Sequence, residues 1–252
     1  MTTFHQATEV IRVGRTVSSD LTPPVHTSAV FEQSDTTAAR RAATTPRAAR
    51  FYSRYSNPTI DQFESAIADL EGAEAARAYA SGMGAVSGVL MALCSAGDHV
   101  VAQRQLYSGT LVLLAMLEER FGLAVTYVDG TDPDEWDAAI EPGRTVLCVA
   151  ETPANPQLAI VDLERFGAIK GPVTLVDSTF ATPALQRPLD FGVDLVLHSA
   201  TKGIGGHNDC SVGVVAGSEE LINWLWGFAI LHGANASPYD AAAALRGVRT
   251  LD

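Results

Sequence analysis

Apolar residues in this chain follow two rhythms that alternate from about residue 59 onward. Ile60, Phe63, Ile67 and Leu70 are spaced by threes and fours, which predicts a helix that opens at Asn57-Pro58-Thr59 and closes before Gly72. Helices are also expected over residues 84–93, 110–121, 133–140, 163–169 and 219–228. Between them, short apolar runs at 99–102, 123–128, 145–150, 173–176, 193–198 and 211–216 predict strands. Strands that alternate with helices and are apolar on both faces imply an α/β fold, with a mainly parallel sheet covered on both sides. No internal repeat is evident.

Residues 1–58 lack this rhythm, and 34–50 are Ala, Thr and Arg with almost no large apolar side chain. They predict an extended N-terminal arm with a mobile loop. The chain is thus expected to divide into an arm, 1–58, and a domain, 59–252. A final helix over 238–251 puts Leu245, Val248 and Leu251 on one stripe and runs to the end of the chain. It is expected to lead into a further part that the chain lacks, leaving the stripe for a partner to cover.

Composition narrows the class. With 252 residues and 47% hydrophobic content the chain can bury a core. A net charge of −12 would repel polyanions, which argues against nucleic-acid or anionic-membrane partners. Cys94, Cys148 and Cys210 are odd in number and widely spaced, which fits a reducing cytoplasm better than a disulfide framework. The amino terminus shows no basic region followed by an apolar core, and the run 111–117 is too short to span a bilayer.

Candidate chemistry concentrates in two stretches. Val173-Thr-Leu-Val-Asp177 ends an apolar strand on a carboxylate, and Leu195-Val-Leu-His-Ser-Ala-Thr-Lys202 delivers a lysine into Gly203-Ile-Gly-Gly206. Ligands of open α/β sheets bind at the carboxyl ends of strands, where Asp177 and Lys202 would both sit. Pyridoxal phosphate needs these groups: a lysine amine for a Schiff base, a carboxylate for the pyridine nitrogen, and hydroxyls with backbone N–H groups for the phosphate. Ser81-Gly-Met-Gly-Ala85 precedes a helix and offers such N–H groups. Tyr107 could stack on a ring, and Tyr52 and Arg54 add an aromatic group and a guanidinium suited to phosphate.

Each feature has a plainer reading. Asp177 could merely cap the next helix, and His198 could be a hydrogen-bonded core residue. A dinucleotide fingerprint would need glycine at 87, where Ser87 stands, with Gly88 one position late. His198, His207, Asp209 and Cys210 are metal-ligand types without ligand spacing, so no metal is expected. The nucleophile elbow of hydrolases does not occur.

The stretches Tyr52-Ser-Arg-Tyr-Ser-Asn-Pro-Thr59, Leu70-Glu-Gly72, Ser81-Gly-Met83, Tyr107-Ser-Gly-Thr110, Glu151-Thr-Pro-Ala-Asn-Pro156, Val176-Asp-Ser-Thr-Phe180 and His198-Ser-Ala-Thr-Lys202 run in one order along the chain. Together they resemble the Cys/Met-metabolism pyridoxal-phosphate enzymes, which include cystathionine γ-synthase, cystathionine γ-lyase, methionine γ-lyase and O-acetylhomoserine sulfhydrylase. The resemblance implies a type I pyridoxal-phosphate transferase large domain that acts by γ-elimination or γ-replacement on a sulfur-containing or O-acylated homoserine-type amino acid. It implies that Lys202 bears the cofactor and moves protons, that Asp177 pairs with the pyridinium, and that Gly82, Met83, Ser199 and Thr201 hold the phosphate. Tyr107 would stack and assist the leaving group, and Asn155 would meet the O3′ side. Tyr52 and Arg54 would reach the site of a neighbouring copy, which calls for a dimer or tetramer.

Gly203 stands where an aromatic is usual, Ser56 where glycine is common, and Ser108 where glycine or alanine is frequent. Such families continue into a smaller C-terminal domain that supplies an arginine for the substrate carboxylate, and Arg246-Gly-Val-Arg-Thr-Leu251 resembles its entry. A truncated cofactor-binding protein with little turnover, completed by another chain, is the alternative. The residues leave open which of the γ-chemistries applies.

Overall fold

The computed structural model describes residues 5–14, 22–48 and 50–251. The parts of the arm and of the chain ends that fall on 1–4, 15–21, 49 and 252 lie outside the described residues. The helices are α1 (Gln6–Arg12), α2 (Thr36–Thr44), α3 (Pro58–Glu71), α4 (Gly82–Leu93), α5 (Ser108–Phe121), α6 (Pro133–Ala139), α7 (Leu163–Gly167), α8 (Thr182–Leu185), α9 (Glu219–His232) and α10 (Pro238–Val248). The strands are β1 (Ala75–Tyr79), β2 (His99–Gln103), β3 (Ala124–Val128), β4 (Thr145–Glu151), β5 (Val173–Asp177), β6 (Leu195–His198) and β7 (Gly213–Gly217).

The seven strands form one sheet in the order β1-β7-β6-β5-β4-β2-β3. All pairs from β6 to β3 are parallel, and β7 runs antiparallel to both of its neighbours. Alternate strand residues separate the two faces, as the pleat requires. Leu147, Val149, Leu175, Leu195, Leu197 and Val215 pack under α4, α5 and α9. On the other face Val196, Val214 and Ala216 meet α3 and α10, while Val101, Cys148, Ala150 and Val176 meet α6 and α7. This doubly covered, mainly parallel sheet is the expected architecture.

Two local expectations are corrected, and one strand appears where none was expected. Residues 36–44 form a helix rather than a mobile loop, because Asp35 caps it through Ala38 N–H at 2.8 Å and its Ala and Arg residues favour helix. None of its residues is buried, so it needs no apolar stripe and leaves none to read. Strand β1, Ala-Ala-Arg-Ala-Tyr, carries little β propensity, yet it is buried along its length and pairs with β7. Its central Arg77 is 3.6 Å from buried Glu64 and donates to the Tyr55 carbonyl. Finally, Leu245 and Val248 are buried and Leu251 packs beside them, so the stripe on α10 is covered by α3 and the sheet rather than left for a partner.

The beginning of the chain also joins this core, since Val10 and Val13 are buried against the same cluster. No described helix is long and apolar enough to cross a membrane.

Candidate functional site

Parallel pairing brings the carboxyl ends of β4, β5 and β6 side by side, with Glu151 in register with Asp177 and Asp177 with Leu197. A cavity of about 340 Å³ opens over these ends and over the N-terminus of α4. Its walls include Gly82, Met83, Tyr107, Asn155, Asp177, Ser199, Thr201 and Lys202, eight of the ten site residues named from sequence.

Asp177 Oδ1 accepts both the N–H and the hydroxyl of Thr179, at 3.0 and 2.5 Å, which closes a tight turn. Its Oδ2 has no partner among the described residues and is left for a group in the cavity. Burial raises the Asp177 carboxyl above the usual range, opposed by the two bonds from Thr179 and by nearby His198. No helix begins there, since α8 starts at Thr182 with Ala181 in the cap position, so the helix-cap reading of Asp177 fails.

Thr179 in turn accepts the Ser199 N–H at 2.8 Å and so joins the ends of β5 and β6. Lys202 follows in a turn held by Lys202 N–H to Ser199 O at 3.0 Å and Gly206 N–H to Lys202 O at 2.8 Å. Its amine is exposed on the cavity wall, with no ion pair or hydrogen bond among the described residues.

Ser81 caps α4 by accepting the Gly84 N–H at 3.0 Å. The N–H groups of Gly82 and Met83 have no partner among the described residues and lie at the positive end of a twelve-residue helix. A Cβ on residue 82 would lie 2.7 Å from Ser199 Cβ, so only glycine lets this turn approach β6 so closely. The Ser199 hydroxyl is unpartnered among the described residues. That of Thr201 accepts the Val212 N–H at 3.0 Å and donates to the Val212 carbonyl at 3.3 Å.

Tyr107, at the start of α5, lies over Gly109, where a Cβ would come within 2.5 Å of its ring. Glu151, which was not singled out from sequence as a site residue, is buried behind it. Its Oε2 accepts the Tyr107 N–H at 2.5 Å and its Oε1 the Asn155 N–H at 2.8 Å. Burial, with Asp177 adding to it, pushes the Glu151 carboxyl up to about 7, against the two amide bonds. Thr179 and Phe180 were missed as well, although both line the cavity. The signal that singled out Asp177, a carboxylate closing a buried strand, applies equally to Glu151.

Tyr52 and Arg54 do not line this cavity. The Arg54 guanidinium lies over the rings of Tyr52 and Tyr55, at 5.1 and 5.4 Å, and donates to the Ile230 carbonyl. The metal-ligand types also stay apart. His198 is buried between Glu71 Oε1, at 2.6 Å, and the Ser178 carbonyl, at 3.2 Å, whereas Asp209 pairs with Arg246. Among the described residues no His, Cys, Asp and Glu side chains cluster as a metal site.

The chain is similar to proteins of known activity along most of its length. The chain is 44% identical over 227 residues to the O-succinylhomoserine sulfhydrylase of Pseudomonas aeruginosa, covering 89% of this chain and 56% of that one. It is 40% identical over 237 residues to the L-methionine gamma-lyase of Pseudomonas putida, covering 92% and 59% respectively. A crystal structure of cystathionine gamma synthase from Xanthomonas oryzae pv. oryzae in complex with cystathionine superposes with a TM-score of 0.91 at 39% identity, over 100% of this chain and 64% of that one. The chain thus spans less than two thirds of the length of these relatives. The model of the family described as Cys/Met metabolism PLP-dependent enzyme matches residues 7–252, and the chain belongs to that family.

Proposed function

We propose that the chain binds pyridoxal 5′-phosphate in this cavity and forms the cofactor-binding part of an enzyme of amino-acid sulfur metabolism. Its reaction would be γ-elimination or γ-replacement on a sulfur-containing or O-acylated homoserine-type amino acid. One observation carries the reading. Among the described residues, an unpaired lysine, a half-buried carboxylate with one free oxygen and two free amides at a helix N-terminus converge on one cavity of about 340 Å³.

This donor set fits the cofactor. The amides of Gly82 and Met83 and the Ser199 hydroxyl are free to hold phosphate. Thr201 can join them by turning its O–H away from the Val212 carbonyl while still accepting the Val212 N–H. Asp177 Oδ2 is free to keep a proton on a ring nitrogen, and its burial strengthens that contact. When bound, the cofactor supplies an electron sink for carbanions formed on the substrate.

In this reading Lys202 provides the attaching amine and afterwards accepts and returns protons at substrate carbons. The Tyr107 ring covers one face, and its phenol serves the leaving group. Asn155 meets the O3′ side. Tyr52 and Arg54 belong to the cavity of a neighbouring copy in a homo-oligomer, which is consistent with their lying outside their own chain's cavity. The division into an arm, 1–58, and a cofactor domain, 59–252, and a cytoplasmic location in keeping with three free cysteines, belong to the same proposal.

A second reading has specific support. Among the described residues no arginine lines the cavity, and a substrate carboxylate calls for one. The chain would then bind cofactor but turn over little until another segment or chain completes the site. Incubating the purified, cofactor-loaded chain with cystathionine, methionine or O-succinylhomoserine separates the two. Release of the γ-substituent from any of them supports the enzyme reading, and release from none with cofactor bound favours the second.

A further inference from the structure

We propose that Glu151 is a positioning residue that fixes Tyr107 and Asn155 against the cavity through their backbone amides. Two loops meet at this one carboxylate. The loop from β2 to α5 brings Tyr107, whose N–H lies 2.5 Å from Oε2, and the loop after β4 brings Asn155, whose N–H lies 2.8 Å from Oε1. Helix α5 has no side-chain cap of its own at Tyr107, so this bond is what ties its N-cap residue to the end of β4.

The carboxylate is itself fixed. The Glu151 N–H donates to Gln103 Oε1 at 2.9 Å, and Gln103 at the end of β2 is fully buried. Glu151 is 5% exposed and cannot swing out to solvent. Both oxygens are therefore aimed, one at each loop. The side chains that the two loops carry, the Tyr107 ring over Gly109 and the Asn155 amide, line the same cavity. Bonds to an ionised acceptor are stronger than neutral ones, and a carboxylate accepts on two oxygens where an amide accepts on one.

The inference rests on the cofactor reading only in its second readout. Glu151→Gln keeps the shape but offers one acceptor and sets an NH₂ against the other amide. In the cofactor-free chain at about pH 8, above the value of about 7 to which burial raises the Glu151 carboxyl, hydrogen exchange at Tyr107 or Asn155 is expected to quicken by about tenfold or more. The Ser178 amide, which bonds the Leu197 carbonyl beside the same cavity, should stay as it was. Glu151→Asp keeps the charge but withdraws it by one methylene, and should show the same signature. In the second readout, the visible circular dichroism of added pyridoxal phosphate should fall in both variants, because the groups facing it are no longer held.

Unchanged exchange at both amides in both variants would overturn the proposal. So would a rise shared equally by Ser178, which would mean general loosening. If the exchange responds but the parent itself shows no cofactor dichroism, the clamp stands and the cofactor reading falls.

Discussion

Asp177→Asn separates an electrostatic role from a structural one. The asparagine carbonyl can keep both bonds from Thr179, now at 3.0 and 2.5 Å, so the turn joining β5 to β6 should survive. What changes is the free oxygen, which becomes a neutral NH₂ that can still donate to an unprotonated ring nitrogen. The loss is therefore the difference between a charge-assisted and a neutral hydrogen bond, about 1–2 kcal/mol or roughly five- to thirtyfold in affinity for pyridoxal phosphate. Absorbance titration of the cofactor measures it. Stability should move the other way. Burial holds the folded-state carboxyl above its unfolded value, so its contribution is fully present below the unfolded value and lost as pH rises through the folded one. At neutral pH the cofactor-free variant should unfold at the same or a higher urea concentration than the parent, whereas loss of a helix cap would cost about 1 kcal/mol. A variant that binds cofactor as tightly as the parent, or that unfolds early, would refute this reasoning.

Two further outcomes follow from the same geometry. The Glu151 carboxyl should titrate near 7, and because that lies above its ordinary 4.5, it makes the fold lose stability as pH climbs from about 4.5 to 7; a carboxyl carbon shift with its midpoint below 5 would contradict this. Gly247→Ala should gain helix propensity but lose more, because its Cβ would sit 2.1 Å from the Gly205 carbonyl oxygen, in the turn that follows Lys202; backbone cannot rotate aside, so a net loss of about 1–3 kcal/mol is expected in urea unfolding, and an unchanged midpoint would refute it.

Which parts of this fold can be read from sequence follows from where each side chain goes. Strands β2 to β7 and helices α3 to α7 and α9 bury apolar side chains, and that burial writes a period into the residues, whereas the four-residue α8 carries no stripe and is not legible. Strand β1 escapes because its interior positions are alanines and an arginine, whose partner Glu64 lies on another element. Helix α2 escapes for the opposite reason, since it buries nothing. At the site, Asp177 and Lys202 stand out because each ends an apolar run. Glu151 ends one too, but its task is to receive amides from two loops, and that is visible only once those loops are folded. The α10 stripe was legible, but its cover was not, because α3 lies more than 160 residues earlier in the chain.

The chain contains only two lysines, Lys170 and Lys202, and Lys170 precedes β5 at the opposite end of the sheet from the cavity. The central claim therefore has a built-in control. Pyridoxal phosphate is added to the purified chain, the attachment is reduced with borohydride, and the modified residue is located by peptide mass. The account predicts one cofactor per chain, on the Lys202 peptide, and none in Lys202→Ala. Modification of Lys170 alone, equal labelling of both lysines, or no attachment would contradict it.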